Sequence, residues 1–131
     1  MSDQLSVSGL VATSPRNVIT KDGLSVTSFR LASTQRRFDR ESNSWIDAET
    51  NWFTISAFRQ LASNIAQSIN KGDRIVVNGR IKVRDWDNGE RTGTTIEIEA
   101  ESLGHDLTFG TSVFERVLSK PLIEAEDEEE F

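Results

Sequence analysis

The chain predicts an all-β domain: a closed barrel of five strands with one helix between the third and fourth. Three observations predict it. Apolar and polar residues alternate at period two in five separate runs. One stretch, Arg59 to Asn70, switches to helical spacing. The dipeptide Asn88-Gly89 stands between two long alternating runs, a strong hairpin signal. A doubly wound fold needs helices alternating with strands throughout, and a sandwich needs more strands. The order strand, strand, strand, helix, strand, strand suits an OB-fold barrel.

The elements follow in order. Leu5, Val7, Gly9 and Val11 alternate with Ser6, Ser8 and Leu10, a short first strand. Pro15 and the Lys21-Asp22-Gly23 turn punctuate the chain before a second strand, Leu24 to Thr34, with Phe29 and Leu31 on one face and Arg30 and Ala32 on the other. Arg36 to Thr50 is polar, holds Asp39, Asn43, Ser44 and Asp47, and reads as a long hairpin loop. Asn51 to Phe58 is the third strand: Phe53, Ile55 and Ala57 point to the core, Trp52, Thr54, Ser56 and Phe58 away from it. Leu61, Ile65 and Ile69 recur every four residues with Ala62 and Ala66 beside them, which defines the helix, and Lys71-Gly72-Asp73 ends it.

If Asn88-Gly89 is the two-residue loop of a type I′ turn, strands Arg74–Trp86 and Arg91–Glu101 pair with Ile81 facing Ile96, Val83 facing Thr94, Gly79 facing Ile98 and Val77 facing Ala100. That inward set is apolar or small, and a slip of one residue would turn it outward. Leu107, Phe109, Val113, Phe114, Val117 and Leu118 keep residues 103–122 fairly apolar, so this stretch is expected to pack as an extra strand or a subunit clasp. The expected division is a binding domain over 1–110, an extension over 111–123 and a disordered acidic tail over 124–131.

The net charge of -6 is misleading as a guide to partners. Glu124, Glu126, Asp127, Glu128, Glu129 and Glu130 crowd into the last eight residues, and without them positions 1–123 hold 15 acidic and 15 basic residues. The distribution over the folded part therefore decides what it binds. In the deduced register one strand turns Arg80, Lys82, Arg84 and Trp86 outward, with Thr95, Gly93 and Arg91 across from the last three. Gly93 opposite Arg84 would leave room for a backbone to approach, and Arg91 opposite Trp86 would stack on the indole. Trp52 and Phe58 share the outward face of the third strand, and Phe38, with Arg30, Arg36, Arg37 and Arg40 near it, extends the track. Trp45 suits either this track or a packing role in the hairpin. Exposed rings beside cations fit a single nucleic-acid strand, because every base has a π-face to stack and every phosphate a charge to neutralise. The plainer reading is a cross-strand pair of Arg80 with Glu97 on a solvated face.

Other functions find little support. There is no cysteine, His105 is the one histidine, and no nucleophile stands with a base, so no enzyme activity, metal or cofactor is expected. Asp85 and Asp87 flank a turn, where turn chemistry accounts for them. No run approaches the roughly 20 apolar residues of a membrane helix and no leader pattern opens the chain, so a cytoplasmic, nucleoid-associated protein is expected. The rival class is an OB-fold protein-interaction module in a replication or primosome-like assembly, its aromatics contacting protein.

Over residues 4–110 the chain resembles the bacterial single-stranded DNA-binding (SSB) protein family. The resemblance lies in Leu31-Ala32-Ser33, Asn51-Trp52-Phe53, Phe58-Arg59-Gln60-Leu61-Ala62, Lys71-Gly72-Asp73, Val77-Asn78-Gly79-Arg80 and Val83-Arg84-Asp85-Trp86. It implies an OB-fold homo-oligomer, usually a tetramer wrapped by single-stranded DNA in replication, recombination and repair. It implies base stacking at Phe38, Trp52, Phe58 and Trp86, and a dimer contact through Leu5–Val11. Family tails run through a long linker to acids and Ile-Pro-Phe, which docks replication and repair enzymes. Here the linker is nearly absent and the end is Glu128-Glu129-Glu130-Phe131, a short-tailed variant in which partner docking competes with a solubilising or DNA-mimicking role.

Overall fold

The computed structural model describes residues 3–117. The acidic tail and its expected disorder lie outside the described residues. The elements are β1 (Gln4–Val11), β2 (Arg16–Ile19), β3 (Ser25–Asp39), β4 (Ser44–Phe58), α1 (Arg59–Ser68), β5 (Arg74–Asp87) and β6 (Thr92–His105). They form one sheet in the order β1-β5-β6-β4-β3-β2, and an additional β1–β3 pairing closes it. Five strands thus make the barrel and β2 lies outside it on β3, an OB-fold arrangement. The helix follows the fourth strand, not the third, because β2 is an additional strand, four exposed residues with no buried face to mark them in the sequence.

The period-two alternation places the core as expected. Val11, Leu31, Ile55, Ile75, Val77 and Ile98 are fully buried, and Phe29, Phe53, Ala57 and Ala100 join them. Ala62, Ile65 and Ile69 of the helical run cover the barrel on one side, whereas Ala66 is exposed. The buried Thr27 hydroxyl donates to the Ala62 carbonyl at 2.7 Å and accepts from the Asn17 side-chain amide at 2.9 Å, which ties α1 and β2 to β3. The helix stops at Ser68, two residues short of the expected Asn70. Ile69 turns extended, and Lys71-Gly72 makes a turn with Gly72 at φ 96°, where the Asp73 carboxylate accepts the Asn70 N–H at 2.9 Å. At the β2–β3 turn the Thr20 hydroxyl donates to Asp22 and holds that carboxyl below its ordinary range.

Three expectations need correction. The stretch from Arg36 to Thr50 is a paired ribbon whose register runs on to Asp39↔Ser44, leaving a short tip with Asn43 at φ 54°. The β5–β6 register is two residues off the expected one: Ile81 faces Ile98, Val83 faces Ile96 and Gly79 faces Ala100, and beyond a bulge at Asn78/Gly79 Val77 faces Leu103. The cause is the turn. Of its residues only Gly89 has positive φ, Asn88 accepts the Glu90 and Arg91 N–H groups, and Asp87 accepts that of Gly89. These bonds favour a four-residue turn over type I′. A shift of two keeps every side chain on its face, so the core prediction survives the error. Finally, β6 continues to His105, and beyond it Leu107, Phe109, Val113, Phe114 and Val117 stay exposed on this chain and form no extra strand.

At the bulge, a Cβ on Gly79 would overlap the Glu99 carbonyl. Gly79→Ala is expected to destabilise the domain by about 1–3 kcal/mol in chemical denaturation, because two backbones must separate to admit the methyl.

Candidate nucleic-acid interface

The outer face of the barrel is assembled by strand pairing. On β3, Arg30, Ala32, Thr34, Arg36 and Phe38 share one face, and their partners on β4 are Thr54, Trp52, Thr50, Asp47 and Trp45. The register slips by one residue between Thr34↔Thr50 and Arg36↔Asp47, with the extra residue on β4. This bulge puts Trp45 on the same face as Trp52, although they are seven positions apart and strict alternation would oppose them. Side-chain contacts follow the register: the Arg30 guanidinium lies 5.4 Å from the Trp52 ring centre, the Thr34 and Thr50 hydroxyls are 2.9 Å apart, Arg36 approaches Asp47 at 3.8 Å, and Phe38 meets Trp45 edge-on at 5.6 Å. Phe58, half-buried opposite Val26, ends the same row.

β4 then pairs parallel with β6 through Thr54↔Glu97, Ile55↔Ile98 and Ser56↔Glu99. Because Ile55 and Ile98 point inward, Glu97 and Glu99 point outward, next to Thr54 and Ser56. Across β6, Arg80 faces Glu99, Lys82 faces Glu97, Arg84 faces Thr95 and Trp86 faces Gly93. One continuous surface therefore carries Arg30, Trp52 and Phe58 at one side and Arg80, Lys82, Arg84 and Trp86 at the other. Arg36, Arg37 and Phe38 lie on the projecting ribbon, where neighbouring Arg36 and Arg37 point to opposite faces.

The corrected register changes three expected neighbours. Gly93 lies beneath the Trp86 indole rather than opposite Arg84; a Cβ there would meet the ring at 2.5 Å. Arg91 sits in the turn, its carbonyl accepting the Asn88 N–H at 3.1 Å, and does not stand across from Trp86. The cross-strand ion pair is Arg80 with Glu99, and Arg84 pairs with Glu97 at 2.6 Å. Lys82 makes no ion pair among the described residues. Trp45 is the ring that sequence reasoning did not assign to the row, and the Arg36/Asp47 charge complementarity was the signal that could have set its register.

The rings remain open to solvent: Trp52 is 50% exposed, Trp86 44%, Phe38 44% and Trp45 60%. Rings exposed in this way on otherwise polar strands are suited to a partner with flat faces.

The sequence model of the single-strand binding protein family matches residues 3–106. This chain belongs to that family. Among curated family members, it is 53% identical over 114 residues to single-stranded DNA-binding protein 2 of Tropheryma whipplei, covering 87% of this chain and 75% of that one. It is 47% identical over 108 residues to single-stranded DNA-binding protein 1 of Streptomyces coelicolor, covering 82% and 69%. The crystal structure of a small single-stranded DNA-binding protein from Streptomyces coelicolor superposes with a TM-score of 0.77 at 41% identity, over 83% of this chain and 98% of that one. The second single-stranded DNA-binding protein of Mycobacterium smegmatis, 24% identical with a TM-score of 0.67, shares the fold.

Gly93→Ala is expected to lift the Trp86 indole from its seat. Tryptophan emission and near-ultraviolet circular dichroism should change while stability falls by no more than about 1 kcal/mol, since the ring is free to rotate toward solvent.

Proposed function

We propose that this protein binds single-stranded DNA with little sequence preference and shields it during replication, recombination or repair. Bases stack on Phe38, Trp52, Phe58 and Trp86, with Trp45 as an added ring, and phosphates contact Arg30, Arg36, Arg37, Arg80, Lys82, Arg84 and Arg91. The observation that carries this reading is the β4–β6 pairing, which joins the aromatic row of β4 and the basic row of β5 that ends in Trp86 into one surface. The names of the relatives support it. The chemistry is binding alone: stacking and charge neutralisation need no cofactor.

The domain spans 1–110 in this reading and works in the cytoplasm on nucleoid DNA, as a homo-oligomer, a tetramer, with β1 at a subunit contact. Support for that contact is the backbone edge of β1, which pairs with β3 at Leu10 and Val11 alone and leaves the preceding residues unpaired on that side. Residues 111–123 extend the domain, and Glu128-Glu129-Glu130-Phe131 would engage replication or repair proteins.

Two measurements test the reading. Trp52→Ala and Trp86→Ala should each weaken binding to oligo-dT by about 1–3 kcal/mol with the melting temperature unchanged. Binding to oligo-dT should quench tryptophan emission and follow a log K against log salt slope near roughly -0.7 per phosphate neutralised. A protein-contact module would show neither quenching nor a salt-dependent affinity.

A further inference from the structure

The outer surface contains a feature that a count of its cations conceals. Between the β4 aromatics and the β5 cations runs a strip of β6 that places Glu97 and Glu99 side by side on the same face. Each carboxylate holds one guanidinium of the β5 row: Glu97 holds Arg84 at 2.6 Å and Glu99 holds Arg80. The side chains of both acids are 21% exposed, while those of Arg80 and Arg84 are 45% and 66% exposed. The acids are thus tucked into the sheet surface and the guanidinium groups lie over them. A phosphodiester approaching this strip meets two neutral pairs flanking Lys82, not a row of three free cations and a ring.

We propose that Glu97 and Glu99 act as built-in competitors for phosphate, setting the DNA affinity and its salt dependence below what the β5 cations alone would give. The inference rests on the proposed single-stranded DNA binding and concerns the same surface. Carboxylate and phosphate exchange on the same guanidinium group. An arginine already bonded to a carboxylate has lost part of its field and some of its donors, so a phosphate must either displace the carboxylate or accept a weakened partner. In both cases a negative charge stays within a few ångströms of the nucleotide. A stretch of strand therefore gains less from each arginine, releases fewer counterions on binding, and relies more on Trp52, Phe58 and Trp86. The arrangement favours a binder that can let go of DNA and re-form its own ion pairs.

The test uses the full chain and fluorescence titrations of oligo-dT at several salt concentrations. Glu97→Gln and Glu99→Gln keep the shape and an acceptor oxygen and remove the charge. Each should tighten binding about fivefold, the worth of one unit charge a few ångströms away in water. Each should also steepen the log K against log salt slope by about 0.7, one further phosphate neutralised. Asp22→Asn, which removes the same charge from the β2–β3 turn, should leave both quantities unchanged. Arg84→Gln should cost little in the native background and should abolish the gain in the Glu97→Gln background. Unchanged affinity and slope in both glutamine variants would overturn the proposal. So would weaker binding, which would make the acids positioning residues for the guanidinium groups. Circular dichroism on each variant separates a folding defect from these outcomes, and the Arg84/Glu97 cycle remains informative if Glu99→Gln does not fold. If the native chain does not bind oligo-dT at all, it is the underlying function that fails.

Discussion

The surface described above depends on three residue pairs. Thr54, Ile55 and Ser56 lie beside Glu97, Ile98 and Glu99, and this is the parallel seam that joins β3–β4 to β5–β6. On the opposite side the barrel closes through a still shorter seam, the two pairs Leu10↔Ala32 and Val11↔Leu31. Seams of this length contribute few backbone hydrogen bonds, so burial must hold them. Ile55, Ile98, Val11 and Leu31 are fully buried at the two seams. At about 1.5–3 kcal/mol for each large aliphatic side chain withdrawn from water, these four outweigh the net value of the ladder bonds beside them. The same seam residues therefore stabilise the barrel and fix the distance between the β4 rings and the β5 row of cations with Trp86.

What could be read from the sequence divides along this line. The core was legible because a buried face imposes period two, and that period survives errors in strand pairing. The inward residues Val77, Gly79 and Ile98 were identified although the expected register was two residues off. The register was less legible because it is set by the turn. Asn88 and Asp87 bond backbone N–H groups through their side chains, and that competition leaves no trace in hydrophobic periodicity. The ribbon from Arg36 to Asp47 was hidden for a related reason: both of its faces are solvated, so no apolar alternation marks it as strand. Its pairing shows in cross-strand matches, threonine to threonine, arginine to aspartate and phenylalanine to tryptophan.

The candidate site was legible as a set of residue types and illegible as an electrostatic surface. Alternation correctly turned Trp52 and Trp86 toward solvent, and burial confirms both. The outward placement of Glu99, and the neighbours of both Glu97 and Glu99, depend on the register and on the β4–β6 seam, a long-range parallel contact that no local pattern announces. Exposed ion pairs of this kind add at most about 1 kcal/mol to stability. Their larger effect is on what the arginines offer to an incoming anion.

The rings are held by neighbours that differ from one another. Trp52 has Arg30 beside it, Phe38 has Trp45 at its edge, and Trp86 rests on Gly93. A large side chain with two rotatable angles loses rotamer freedom when a ligand stacks on it, a loss of about 0.5–1.5 kcal/mol. A neighbour that restricts the ring beforehand takes that loss into folding and removes it from binding. Beyond the barrel this arrangement matters more, because the β5–β6 ribbon has no core beneath it: Val83, on the inward-facing row, is 63% exposed. There the backbone ladder and the ring seats supply the order that packing supplies inside. Gly93 is the clearest case, since the missing side chain leaves the space in which the indole lies.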